Sequence, residues 1–331
     1  MKSDSRTPTP VVVLSRCLGV EACRYNGKMI REDFIHQLSS YVEFRPVCPE
    51  LEIGLGVPRD PIQIISGDGG RTLVQPATGR DLTRSMITFS QGFSKRLKEV
   101  DGFILKSRSP SCGIRDTKIH DADQVTVLER GAGIFAAAIL ERFPDTAVED
   151  EKRLRNRIRR EHFLTRLYVL ARLRRIARQP TREALSRFHA ANHLMLMAYN
   201  RTELDQLDRL LSDNGDADAA VLARAYKRRL SNALSRSPRY TSLIGVLIYA
   251  LGPISKQLTD RDKARFLDRL ERFRNGKIPA SGPVGLLRSW VMRHGTRDLR
   301  NQTLFNPYPT ELNDIARPAS KKPRQRSLYD I

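Results

Sequence analysis

Cysteine is scarce in this 331-residue chain: Cys17, Cys23, Cys48 and Cys112 are the only four, and all fall in its first third. No two of them stand at the two-to-four-residue spacing of zinc-ribbon ligands, which argues against that kind of site. Long apolar runs are missing as well. Nothing approaches the ~20 residues that span a bilayer, and residues 1–10 lack the apolar core of a secretory signal. These absences predict a cytoplasmic protein with no membrane partner. In a reducing cytosol four thiols are poor candidates for structural disulfides, which shifts the expectation toward ligation or catalysis, with buried inert thiols as the bland alternative. Acidic side chains are in deficit, since 37 Asp and Glu face 58 Lys and Arg for a formal charge of +21. An excess of that size points to a polyanion. No amphipathic apolar wedge accompanies it, so nucleic acid is favoured over an anionic membrane surface.

Between residues 11 and 145 strand and helix alternate. The run Val11-Val12-Val13-Leu14 reads as a short buried strand, 42–47 as a second, 62–65 and 72–74 as further strands, and 102–106 as another. Helical spacing appears at Ile30, Phe34, Ile35 and Leu38, and again over 85–100. The pattern predicts an α/β N-terminal domain over 1–145, with an open, mostly parallel, Rossmann-like sheet and a closing helix at 131–142. Such sheets bind ligands beyond the carboxyl ends of their strands. If the strands starting at Val11, Val42 and Gly102 are parallel neighbours, Cys17, Cys48 and Cys112 converge on one edge.

After Pro144 the texture becomes helical and basic. An arginine-rich connecting helix is expected at 146–180, an all-α helical-bundle domain at 181–315 and a basic disordered tail at 316–331. Candidate helices of the bundle are 183–199, 202–212, 217–234, 241–251, 260–275 and 282–294. Arg153, Arg157, Arg160, Arg174 and Arg175 have almost no acidic residues beside them in sequence. Without i,i+4 partners they read as an RNA-binding face rather than a self-satisfied surface.

Spacing alone leaves the thiols open to three readings: an iron–sulfur cluster, a zinc site, or inert burial. Other motifs carry less. His189 and His193 stand four residues apart but lack the glutamate and third ligand of a metalloprotease helix, so bundle packing or RNA contact is expected. Gly67-Asp68-Gly69-Gly70 lacks the lysine and serine of a phosphate loop, and Trp290 is expected in a core beside Leu286, Leu287 and Val291.

The phrases Cys17-Leu18-Gly19, Cys23-Arg24-Tyr25-Asn26-Gly27, Pro46-Val47-Cys48-Pro49-Glu50, Gly54-Leu55-Gly56-Val57-Pro58-Arg59 and Ser107-Arg108-Ser109-Pro110-Ser111-Cys112-Gly113 occur in that order. Together they resemble the signature of the thiouracil desulfidase family over most of residues 10–145. Residues 188–198 and Asn306-Pro307-Tyr308-Pro309 resemble the helical domain that accompanies it in the two-domain tRNA 4-thiouridine desulfidases. The resemblance implies a [4Fe-4S] cluster held by three cysteines, here Cys17, Cys48 and Cys112, with one iron free to take sulfur. It implies non-redox desulfuration of 4-thiouridine in tRNA to uridine and sulfide, with Glu50 activating water or shuttling a proton and Ser109 relaying. Cys23 is the odd one out, and Asn26 stands where many relatives have aspartate. Two alternatives remain at this stage: desulfuration of free, small-molecule thiouracil, and a non-catalytic zinc-containing RNA-binding protein. No obligate protein partner is implied.

Overall fold

Unbroken runs of Val, Leu and Phe make strands that must be covered on both faces. The computed structural model, which describes residues 8–67, 70–213 and 218–312, has that arrangement. Its N-terminal part runs β1 Val11–Ser15, α1 Asp33–Leu38, β2 Glu43–Val47, α2 Pro49–Glu52, β3 Gln63–Gly67, β4 Gly70–Gln75, β5 Arg80–Asp81, α3 Thr83–Arg96, β6 Gly102–Leu105, β7 Thr117–His120, β8 Val127–Gly131, α4 Ile134–Arg142 and β9 Ala147–Asp150. The main sheet has the order β2-β1-β6-β9 and is parallel throughout, with Leu14 beside Pro46 on one side and Ile104 on the other. The three strands expected to be neighbours are neighbours.

Two expectations need correction. The strands expected at 62–65 and 72–74 are β3 and β4, and they belong to a separate mixed sheet ordered β5-β4-β3-β7-β8. β3 and β4 pair antiparallel, with Gly67 opposite Gly70. The expected boundary at 145 also falls short, because β9 lies beyond it and pairs with β6.

Side chains alternate across the main sheet. Val12, Leu14 and Ile104 share a core with Leu164 and Leu167 of α5 (Arg157–Ala177), while Val13, Phe103 and Leu105 pack with Met86 of α3 and Phe135 and Ile139 of α4. So α5 covers one face of the sheet as a core helix. The expected scarcity of acidic partners also fails: Arg174 and Arg178 find theirs on a distant segment, and Arg153 and Arg157 find theirs four residues away. Arg174 bonds Asp101 and Glu99 at 3.0 Å each, Arg178 bonds Glu99 at 2.7 Å, Arg153 bonds Glu149 at 2.6 Å and Arg157 bonds Glu161 at 2.7 Å.

The helical part continues with α6 Arg182–Tyr199, α7 Arg201–Ser212, α8 Ala219–Ala233, α9 Tyr240–Leu251, α10 Asp260–Arg274, α11 Ser281–His294 and α12 Arg297–Arg300. Side-chain caps start several of them: Thr181 for α6, Asn200 for α7, and a Thr259–Asp262 capping box for α10. Trp290 is buried against Phe266. His189 is packing, bonded to Asp208 at 2.8 Å and Tyr226 at 3.1 Å. The turn at 214–215 and the tail at 316–331 lie outside the described residues. Among the described residues no helix is long and apolar enough to cross a membrane.

Candidate functional site

Each of three cysteines follows the carboxyl end of a parallel strand. Cys17 lies just past β1, in a turn closed by the Leu18 N–H donating to the Ser15 carbonyl at 2.8 Å. Cys48 directly follows β2 and occupies the cap position of α2, with Pro49 as the first helical residue. Cys112 sits in the loop after β6. There the Ser109 hydroxyl accepts from the N–H groups of Ser111 and Cys112 at 3.2 and 3.1 Å, and the first-turn N–H groups of α4 donate to the carbonyls of Pro110 and Ser111 at 3.0 Å each. This approach is too close for a side chain: a Cβ on Gly133 would meet the Pro110 carbonyl at 2.5 Å, and one on Gly113 would meet the Thr117 hydroxyl at 2.2 Å. Gly113 of the phrase and Gly133 at the start of α4 therefore permit the loop that carries the thiol.

Cys17, Cys48 and Cys112 line one cavity of about 600 Å³ together with Cys23, Glu50 and Ser109. All four thiols are buried and free of disulfides. Cys23, the odd one out in the sequence phrases, bonds Cys17 and Cys48. Its contact with Cys17 pushes the Cys23 thiol up to about 11, while the bond with Cys23 and then burial push Cys48 up, and burial pushes Cys112 up. Such thiols are protonated when empty and lose protons to a bound metal. Among the described residues no three His, Cys, Asp or Glu side chains group closely enough to hold a single ion.

Glu50 faces the same cavity with its orientation fixed. Arg59 forks onto one carboxylate oxygen at 2.5 and 3.0 Å, and the Ser111 hydroxyl donates to the other at 3.0 Å. Behind the loop, the Glu151 carboxylate accepts from Lys106 at 2.7 Å and from the Ser107 N–H and hydroxyl at 2.8 and 2.7 Å. Burial alone would raise this carboxyl, but Lys106 and Ser107 outweigh it and hold it below the usual range. Arg108 adopts a left-handed backbone (φ 59°), pinned by its N–H donating to Asp116 at 2.7 Å. Arg24, Arg108, Lys118 and Lys152 line the cavity, and none of them makes an ion pair among the described residues.

Arg59, Ser111 and Glu151 are the functional side chains that sequence reasoning assigned no role. Arg59 and Ser111 lie inside the quoted phrases, which was a usable signal, whereas nothing local marks Glu151. The five expected RNA-binding arginines are not brought together. Arg153 is tied to Glu149, Arg157 also donates to Ser281 at 2.9 Å, and Arg160 is buried over the Phe34 ring. Arg174 reaches Asp101 and the Thr9 carbonyl, at the edge of the sheet opposite the cysteines, and Arg175 lines the small cavity beside it.

Residues 12–151 match the family model described as 2-thiouracil desulfurase, and residues 193–309 match one described as a protein of unknown function (DUF1722). The uncharacterized protein YbbK of Bacillus subtilis (strain 168) is 36% identical over 113 residues, which cover 31% of this chain and 73% of that protein. Among solved structures, the [4Fe-4S]-dependent thiouracil desulfidase TudS aligns at 25% identity and a TM-score of 0.36, over 44% of this chain and 93% of that one.

Proposed function

Since the chain belongs through residues 12–151 to the 2-thiouracil desulfurase family, we propose that it is a [4Fe-4S]-dependent desulfidase whose substrate is 4-thiouridine in tRNA. The observation that carries this reading is the set of thiols at the ends of adjacent parallel strands, lining one cavity with Glu50. Soft sulfur donors presented from three separate loops suit a polynuclear cluster. Cys17, Cys48 and Cys112 would hold it, and the thiolate-free iron, when the cluster is bound, supplies a soft Lewis-acid position for a thiocarbonyl sulfur.

The overall change is hydrolysis. A bond forms from water oxygen to the ring carbon, the C–S bond breaks, sulfur leaves as sulfide, and no electrons are gained or lost. Glu50 takes a proton from the attacking water, because its carboxylate is already aimed by Arg59 and Ser111 and needs no reorganisation. Ser109 uses its lone pairs on the backbone N–H groups of the Cys112 loop, which leaves its O–H to donate into the cavity.

Support for a polynucleotide over a free base comes from the net charge of +21 and from the unpaired cations Arg24, Arg108, Lys118 and Lys152 around the cavity. A small neutral base needs no such field. The test is Glu50→Gln. Turnover of 4-thiouridine in tRNA should fall about 10²–10⁴-fold, the range for a lost general base, while the visible absorption of the anaerobic protein persists. Wild-type turnover in that variant would remove Glu50 from the mechanism.

A further inference from the structure

The helical part holds a second cavity of about 710 Å³ that the desulfuration chemistry does not use. It lies between α5, α6, α9, the turn leading into α11 and the segment 304–308. Its walls are aromatic: Tyr199, Tyr240, Phe273, Phe305 and Tyr308. Its inner polar groups are His162 and Tyr199, whose ring nitrogen and hydroxyl stand 3.3 Å apart with their rings stacked. Burial lowers His162 to about 4, so the neutral imidazole offers one donor and one acceptor. Arg239, Lys277 and Arg288 also line the cavity and make no ion pair among the described residues. The one acidic side chain in the lining, Glu161, is already held by Arg157 at 2.7 Å. Tyr240 and Ile158 leave 43% and 54% of their surface exposed at this site.

We infer that this cavity is a nucleotide-binding pocket, which stacks a heterocyclic base on its tyrosine and phenylalanine walls and places the phosphate on Arg239, Lys277 and Arg288. The uncompensated cations select an anion, and flat aromatic faces stack any base. The position suits a role beside the cysteine site. Lys152 lines the cysteine cavity and Arg157, five residues further along the chain, lines this one. The connecting backbone spans at most about 18 Å, on the order of five stacked nucleotides. The same chemistry therefore has two sources, a free mononucleotide or a nucleotide of a strand engaged at the cysteines, and only the second rests on the proposed tRNA substrate.

The experiment photolabels the full chain with 8-azidoadenosine 5′-monophosphate and, separately, with a single-stranded RNA oligonucleotide carrying one 8-azidoadenosine. Saturable adducts on peptides containing Tyr199, Tyr240 or Tyr308 are expected, and Arg239→Glu with Lys277→Glu should weaken half-saturation at least tenfold, with unchanged circular dichroism. Labelling by the mononucleotide identifies a free-nucleotide site, and labelling by the oligonucleotide alone identifies a strand contact. Either supports the pocket. Labelling elsewhere only, or labelling that the charge reversals leave unchanged, overturns it. Turnover of 4-thiouridine in tRNA by the wild-type chain is recorded alongside. A chain that desulfurates but does not label here overturns the pocket alone, and one that labels here without desulfurating overturns only the reading of the cysteine site.

Discussion

Replacing Glu151 by glutamine tests how the Cys112 loop is held. The Glu151 side chain is 1% exposed, and its partner Lys106 is 14% exposed, so the pair is little screened by water. Glutamine retains an acceptor for the Ser107 N–H but leaves a buried ammonium without its counter-charge. Breaking a buried pair on one side costs roughly 3–5 kcal/mol, and the retained acceptor places Glu151→Gln near the lower end. At about 2–4 °C per kcal/mol, the melting temperature of the N-terminal part should drop by about 6–12 °C at pH 7. The acid limb gives a second arm. The Glu151 carboxyl lies below its usual range in the folded chain, so its contribution is full above the unfolded-state value of about 4.3 and is lost as pH falls below that. The variant should lack that part of the acid loss. Lys106→Met combined with Glu151→Gln should recover most of the stability, since it removes the stranded ammonium and keeps an acceptor for the Ser107 N–H. Melting by circular dichroism reads all three proteins. A single variant melting within ~2 °C of wild type, or a double variant no better than the single, would refute the reasoning.

His162 acts in the same direction, toward acid, but over a higher pH window. It is held near 4 when folded against about 6.5 unfolded, so acid protonates the unfolded chain first. Urea melts should lose about 2–3 kcal/mol from this group between pH 7 and pH 4.5, and His162→Gln should lose that much less; an identical pH slope in the variant would contradict the burial argument. If the surface cations neutralise about 4 to 6 phosphates of a locally unpaired strand, log affinity for tRNA should fall against log salt with a slope of about −3 to −4. A salt-independent affinity would remove the polynucleotide substrate.

Much of the fold was legible because its signals are local. The apolar run at β1, the turn after it, and the helical spacing of α6 to α11 are all written within windows of a dozen or so residues, and the cysteine convergence follows from parallel strand order. Two missed pairs, Arg153–Glu149 and Arg157–Glu161, are local, but most of what was missed is non-local. Arg174 finds Asp101 and Glu99 across more than seventy residues, so an i,i+4 inspection of α5 could not see its partners. No strand is legible at β7 or β8, because β7 is only four residues long and β8 is largely exposed and lacks an apolar face, and β9 falls just beyond the proline at which the helical texture begins. Glu151 carries no motif, and its role appears only when β9 places it behind Ser107.

The most direct measurement is metal analysis and visible absorption of the full chain purified without oxygen, beside Cys17→Ser, Cys48→Ser, Cys112→Ser and Cys23→Ser. The account predicts a brown wild-type protein with about four iron and four sulfide per chain, loss of that content in the first three variants and its retention in Cys23→Ser. Colourless protein holding zinc, or a cluster that depends on Cys23 as on the other three, would contradict an iron left open for sulfur.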